Sequence, residues 1–244
     1  MPSTNGREPT GRCRCQGSRW VDMVVVRNSV SGYEDPVGEP AWAMQLALRV
    51  EKSAPPSHLA VCEAAAMAAV TLLTDPRSAP GGEWHEAVAS WESRRIRKVV
   101  RRARGARWEM LGDLPGVLVD HVGAQARAFV PGPVTEVPPE VAKLQVGGTD
   151  LERDEDPEPP PAPPYALIGL NPGVPMTTGK AAAQCGHAAQ LLLRAVGAWP
   201  GLRVRVIAPH DWRRTVSEAD VSVRDGGFTE VAPGTMTAVA RLVT

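Results

Sequence analysis

One order of segments is written twice in this chain. Gln45-Leu46-Ala47-Leu48-Arg49-Val50, an apolar strand pattern, leads through Pro55-Pro56 into the Ala-rich helical run Leu59-Ala60-Val61-Cys62-Glu63-Ala64-Ala65. Tyr165-Ala166-Leu167-Ile168 leads through Pro175 into a second such run, Lys180-Ala181-Ala182-Ala183-Gln184-Cys185-Gly186-His187-Ala188. Cys62 and Cys185 fall in register. Each copy then sets a Trp before a Val-rich stretch, Trp91 before Val99-Val100 and Trp199 before Val204 to Ile207. Each later carries a Pro-Gly turn, Val130-Pro131-Gly132-Pro133 or Ala232-Pro233-Gly234-Thr235. Recurrence of this kind marks a diverged tandem duplication. Strands alternating with helices in each copy predict an α/β fold of two tandem three-layer modules. Each module should hold a mixed sheet of roughly four strands flanked by helices, the first module being the degenerate one.

The break between the copies is chemical. Asp150, Glu152, Asp154, Glu155, Asp156 and Glu158 run into Pro157 to Pro164, a self-repelling and polyproline-forming stretch that resists packing. We read 150–164 as a stiff linker, 41–149 and 165–244 as the modules, and the Gly-, Arg-, Ser- and Pro-rich residues 1–40 as a disordered leader. Phe and Tyr number two each against 24 Pro and 23 Gly, so aliphatic side chains and Trp must build the cores. No apolar run reaches the roughly 18 residues that span a bilayer, and Met1 to Gly17 lack the apolar stretch of a secretory signal. The expectation is a cytoplasmic protein without a membrane partner. Cys13 and Cys15 have a spacing that suits no common zinc site, so no metal is expected, and Cys62 and Cys185 read as reduced, buried thiols.

Lys plus Arg (27) equals Asp plus Glu (27), so attraction to a polyanion must come from a local patch. One exists. Arg94, Arg95, Arg97, Lys98, Arg101, Arg102, Arg104 and Arg107 stand against Glu92 alone between Trp91 and Trp108, a local charge of +7 between two stacking-capable indoles. Helix propensity competes here with alignment to Arg203-Val204-Arg205-Val206-Ile207. The alignment favours a strand over Ile96 to Arg102, followed by a helix.

Asn171-Pro172-Gly173-Val174-Pro175-Met176-Thr177-Thr178-Gly179-Lys180 is not a nucleotide P-loop. Five residues separate its glycines, and Ala181 stands where a Ser or Thr would hold magnesium. What remains is a Gly-Lys entering a helix, whose free N–H groups and dipole favour an anion, with the Lys180 ammonium added.

Taken with Arg224-Asp225-Gly226-Gly227-Phe228-Thr229-Glu230-Val231-Ala232-Pro233-Gly234-Thr235, the run from Gly179 to Ala189 resembles the type II, archaeal and eukaryotic-type, peptidyl-tRNA hydrolase family. The resemblance covers most of 165–244. It implies hydrolysis of the ester joining a peptide to the terminal ribose of tRNA, with peptidyl-tRNA as partner and no cofactor. Lys180, Asp225 and Thr229 take the family's catalytic positions, and Gln184, His187, Gly179 and Thr235 its binding positions. Glu230 stands where the family carries Gln and brings a negative, acceptor-only group to the site.

In the first copy, Ser57 aligns with Lys180, Gly123 with Asp225 and Arg127 with Thr229, so that copy is expected to be non-catalytic. The expected arrangement is an intramolecular pseudo-dimer. The first module would supply core surface and RNA-binding charge through Arg97, Lys98, Arg101 and Arg104, and the second would hold the site. The same residues leave open a second class of function, a catalytically retired tRNA-binding or translation-associated interaction protein.

Overall fold

A computed structural model describes residues 35–154, 159–197, 203–227 and 230–244. Strand β1 (Trp42–Arg49) is buried over nearly its whole length, as befits a strand with neighbours on both sides and layers on both faces. Its parallel neighbour is β2 (Lys98–Ala103), which forms one edge of the sheet. On the other side lie β4 (Ala124–Phe129), antiparallel, and then the edge strand β3 (Gly116–His121). The short β5 (Gly132–Pro133) pairs with the start of β1.

A parallel pair needs a crossover. It is made by helix α1 (His58–Thr74), a 3-10 turn at Pro76–Ser78 and helix α2 (His85–Glu92). The second module repeats the plan: β6 (Tyr165–Leu170) has β7 (Val204–Ile207) parallel beside it and β9 (Met236–Val243), then β8 (Val221–Arg224), on the other side. Its crossover contains helix α5 (Thr178–Val196).

The chain is therefore α/β, with two mixed sheets of the same strand order flanked by helices. The contested stretch is strand followed by helix, β2 and then α3 (Ala106–Glu109). Helices α4 (Pro139–Ala142) and α6 (Trp212–Ser217) complete the described elements.

Helices α1 and α5 lie against each other at the centre. Each sits on its own sheet, and each also touches the edge strand of the opposite module, α5 against β2 and α1 against β7. One apolar core consequently runs through both modules, joining Leu48, Val61 and Val70 to Ile168, Leu192 and Val206. Ala, Cys and Gly dominate the helix contact because two helices this close leave no room for longer side chains. Cys62 and Cys185 are free, buried and adjacent there; burial, then the neighbouring Cys62 thiol, pushes the Cys185 thiol well up. A smaller core of Trp108, Leu111, Phe129, Val141 and Leu144 covers the outer face of the first sheet. Outside the second sheet, a Cβ on Gly169 would stand 2.9 Å from Thr215 Cγ2, so the missing side chain lets α6 approach β6.

The acidic segment corrects an expectation. Its first part does not stand off as a spacer, because Asp154 accepts from Leu59 N (2.8 Å) at the start of α1 and Asp150 accepts from Thr178 N (3.2 Å) at the start of α5. Carboxylates answer the unpaired N–H groups and positive dipole ends of both central helices. Between them Arg153 donates to His58 Nδ1 (2.6 Å) and to the Met176 carbonyl (2.7 Å), tying the segment to both modules. Residues 155–158 lie outside the described residues. So does the expected leader up to residue 34, whereas Asp35 and Glu39 pair with Arg97 and Arg94 on the first module. Among the described residues no helix is long and apolar enough to cross a membrane.

Candidate active site

Three side chains project from one stripe of α5. Lys180, Gln184 and His187 are spaced by four and three residues, the interval that stacks side chains on a single helical face. Thr177 caps that helix by accepting from Lys180 N (3.3 Å), and Glu230 accepts from the Thr177 N–H (3.0 Å) and hydroxyl (2.8 Å). The negative group expected beside the site is thus held at the positive end of α5.

Asp225 leaves the end of β8 and turns toward this stripe. Its Oδ2 accepts from the Lys180 ammonium and from Gln184 Nε2 (2.9 Å), while its Oδ1 accepts from Gly227 N (2.8 Å). Its own peptide is pinned on both sides, by Asp225 N to the Thr235 carbonyl (2.9 Å) and Gly234 N to the Asp225 carbonyl (2.7 Å). Gly227 holds the turn at φ +77°, where a Cβ would also meet Pro233 Cγ at 2.3 Å, so the position admits only glycine. Thr237 donates its hydroxyl to Gln184 Oε1 (2.7 Å), which fixes the amide with its nitrogen toward Asp225. Asp225 is 4% exposed, yet its charge is answered by an ammonium and two further donors.

The first module supplies the facing wall. Lys98, the first residue of β2, crosses the junction, donates to Gln190 Oε1 on α5 and lies 3.4 Å from His187 Nδ1 and 5.0 Å from the Trp91 ring centroid. Burial, then Arg194, lowers the Lys98 ammonium well below its ordinary range, and Glu92 opposes them. Burial, then Lys98, then Lys180, depresses His187 well below an ordinary imidazole, so the ring is neutral. The space between the walls is a cavity of about 330 Å³ that touches seven Lys or Arg residues against two carboxylates, Asp225 and Glu230. Among the described residues no three His, Cys, Asp or Glu side chains gather to hold a metal ion.

Lys180, Asp225, Gln184, His187, Gly179, Arg97 and Lys98 thus meet at one cavity. Thr229 lies outside the described residues. Thr235 contributes a backbone carbonyl to the Asp225 turn, and its side chain does not line the cavity.

Arg101 and Arg104 lie away from the cavity. Side chains alternate along a strand, so Lys98 and Val100 face α5 while Arg101 faces the other way. Arg101 is bonded to Gln45 Oε1 (2.8 Å) and the Leu144 carbonyl (3.3 Å). Arg104 is exposed beyond the end of β2, and neither arginine lines the cavity. Ser57 is also reassigned: it caps α1 as Thr177 caps α5, so its counterpart is Thr177 rather than Lys180.

Arg194 and Arg224 also line the cavity and were not singled out in the sequence. Arg194 continues the α5 stripe seven residues after His187, a periodicity that could have revealed it.

No family model matches this chain, and no curated protein or solved structure matches it.

Proposed function

We propose that the chain hydrolyses the ester bond of peptidyl-tRNA. The observation that carries this reading is the convergence of Lys180 and Asp225, from opposite ends of the second module's sequence, at a cation-rich cavity walled by both modules. Ester hydrolysis needs a positioned water and a positive or hydrogen-bonding site for the oxyanion. Asp225 is a water-orienting group, since Oδ1 keeps acceptor capacity beside Gly227 N. Lys180 faces the developing oxyanion or a terminal phosphate. Arg94, Arg95 and Arg97 on the facing wall suit the phosphates of a single-stranded RNA end, and 330 Å³ is within the range of small-ligand sites, roughly 300–1,000 Å³.

Release of labelled peptide from a model peptidyl-tRNA, with aminoacyl-tRNA as control, tests the proposal. Lys180→Ala and Asp225→Asn should each lower kcat about a hundredfold or more with the thermal melt retained. Full activity in both variants removes them from the chemistry.

A second reading, a retired hydrolase that only binds tRNA, is favoured by two features: both Asp225 oxygens already accept hydrogen bonds, and Glu230 stands at the cavity. RNA binding without peptide release from the unaltered chain would select it.

A further inference from the structure

We infer that His187 presents an Nε2–H donor to the cavity, and that Lys98, contributed by the other module, is the positioning residue that fixes it in that form. The inference deepens the hydrolase reading and rests on it only for the kinetic part of its test.

The path of Lys98 is built into both modules. A Cβ on Gly186 would stand 3.1 Å from Lys98 Cδ and 3.4 Å from Cε, so the missing side chain makes the groove in which the lysine arm lies across α5. At its end the ammonium meets Gln190 Oε1. That amide is held the right way round, because Gln190 Nε2 donates to Glu92 Oε1 (2.7 Å), an oxygen that also takes Arg194 Nη2 (2.9 Å). The Trp91 ring face and the Glu92 carboxylate favour a charged lysine head, while burial and Arg194 act against it.

In the charged form that Trp91 and Glu92 favour, the Lys98 head has donors and no acceptor. A second proton of Lys98 is therefore directed at His187 Nδ1, 3.4 Å away, and Nδ1 accepts. The single proton of a neutral imidazole then belongs on Nε2. Around the ring stand Lys98 from β2 and Lys180 from α5. Lining the cavity are Arg94, Arg95 and Arg97 before β2, Arg194 on α5, Arg224 at the end of β8, and the carboxylates Asp225 and Glu230, with Glu39, Asp35 and Glu92 paired to Arg94, Arg97 and Arg194. This mostly cationic setting disfavours a second proton on the ring, and burial acts in the same direction. A neutral donor aimed into such a site serves a carbonyl, phosphate or ribose oxygen of the substrate and keeps the same protonation state across neutral pH.

Long-range proton–nitrogen correlation spectra of full-length protein carrying nitrogen-15 histidine read the tautomer directly. The expected pattern for His187 is protonated Nε2 and bare Nδ1, with a titration midpoint well below the ordinary 6.5. A protonated Nδ1, or titration near 6.5, overturns the inference, and this readout needs only the unaltered protein. Lys98→Met, which keeps the arm and removes the donor, should mix the tautomers and raise the midpoint; an unchanged spectrum overturns the role of Lys98. In the peptide-release assay, His187→Gln, whose amide nitrogen stands near the Nε2 position, should retain most of kcat. His187→Asn should lose about a hundredfold in kcat at similar KM. Equal rates in the two variants refute the donor role. Lack of turnover in the unaltered chain would instead remove the hydrolase reading, with the tautomer result still standing.

Discussion

The two junctions between the modules follow one plan and end differently. Each edge strand sends one cation onto the opposite central helix, Arg205 from β7 to α1 and Lys98 from β2 to α5. On α1 the cation meets Glu63, 1% exposed, which collects Arg205 Nη1 (3.0 Å), Val206 N (2.8 Å) and His121 Nε2 (2.6 Å). On α5 it meets the amide of Gln190, the nearest carboxylate, Glu92, stands one residue further along the chain of bonds, and the space beyond is hollow. The hairpins differ likewise: β3 and β4 are joined through Val122 and Gly123 alone, whereas β8 and β9 are joined through the long turn that carries Asp225. At the first junction Glu63 gathers three donors inside the protein, and only Arg205 Nε is left without a partner among them. The other sets Lys98, Lys180, Gln184, His187 and Asp225 along the wall of a cavity. A carboxylate buried among its donors gives a brace; polar pairs bordering a hollow stay within reach of a ligand.

The largest effect that separates the junctions is on stability. Glu63→Ala strands Arg205 without its carboxylate and should cost about 3–5 kcal/mol in denaturant unfolding. A loss below about 1 kcal/mol would mean the brace is no brace.

Next is acid sensitivity where the helix starts meet. His58 is depressed to about 4, by burial first and then Arg153, so its imidazole is neutral when folded. The unfolded chain takes up that proton near 6.5 and the folded chain only near 4, so stability is level above 6.5 and falls as pH drops between the two. The loss attributable to His58 should approach roughly 2–3 kcal/mol and be largely absent in His58→Gln. Matching pH profiles for the two proteins would exclude His58 as the cause.

On the open side, Gly227→Ala forces the Asp225 turn out of its left-handed geometry, with about 1–2 kcal/mol of stability lost and peptide release reduced far more. Activity that tracks stability alone would remove the turn from the site.

The smallest effect concerns the rim. Arg94→Gln with Arg95→Gln should flatten the salt dependence of RNA binding by about one to two phosphate contacts, while Arg104→Gln should leave the slope unchanged. The reverse pattern in anisotropy titrations would move the interface to the far end of β2.

Much of this is legible in the order of the amino acids. Apolar runs alternating with Ala-rich stretches carry the element order, and the resemblance of the two motifs to one family's site implied that Lys180 and Asp225 share a pocket, as they do. As a block of charge the basic stretch does not say which of its side chains face the cavity. Strand alternation splits it, giving Lys98 to the cavity and Arg101 to the outer layer with Gln45. The capping by Asp150 and Asp154 was hidden for another reason: Asp154 and Leu59 are far apart in sequence, and nothing local in an acidic run says which carboxylate will find a helix end. Glu63 in an Ala-rich helix gave no hint of its partner, since Arg205 arrives from the other module.

Those caps bear on any attempt to excise the second half. Asp150, which caps α5, lies on the first half's side of the proline run, and so does Lys98, which reaches the same helix. A fragment beginning at Tyr165 would lack the cap and the lysine and would leave the apolar flank of α5 bare. The practical unit is the whole chain, or two complementary fragments expressed together, in the manner of a split protein.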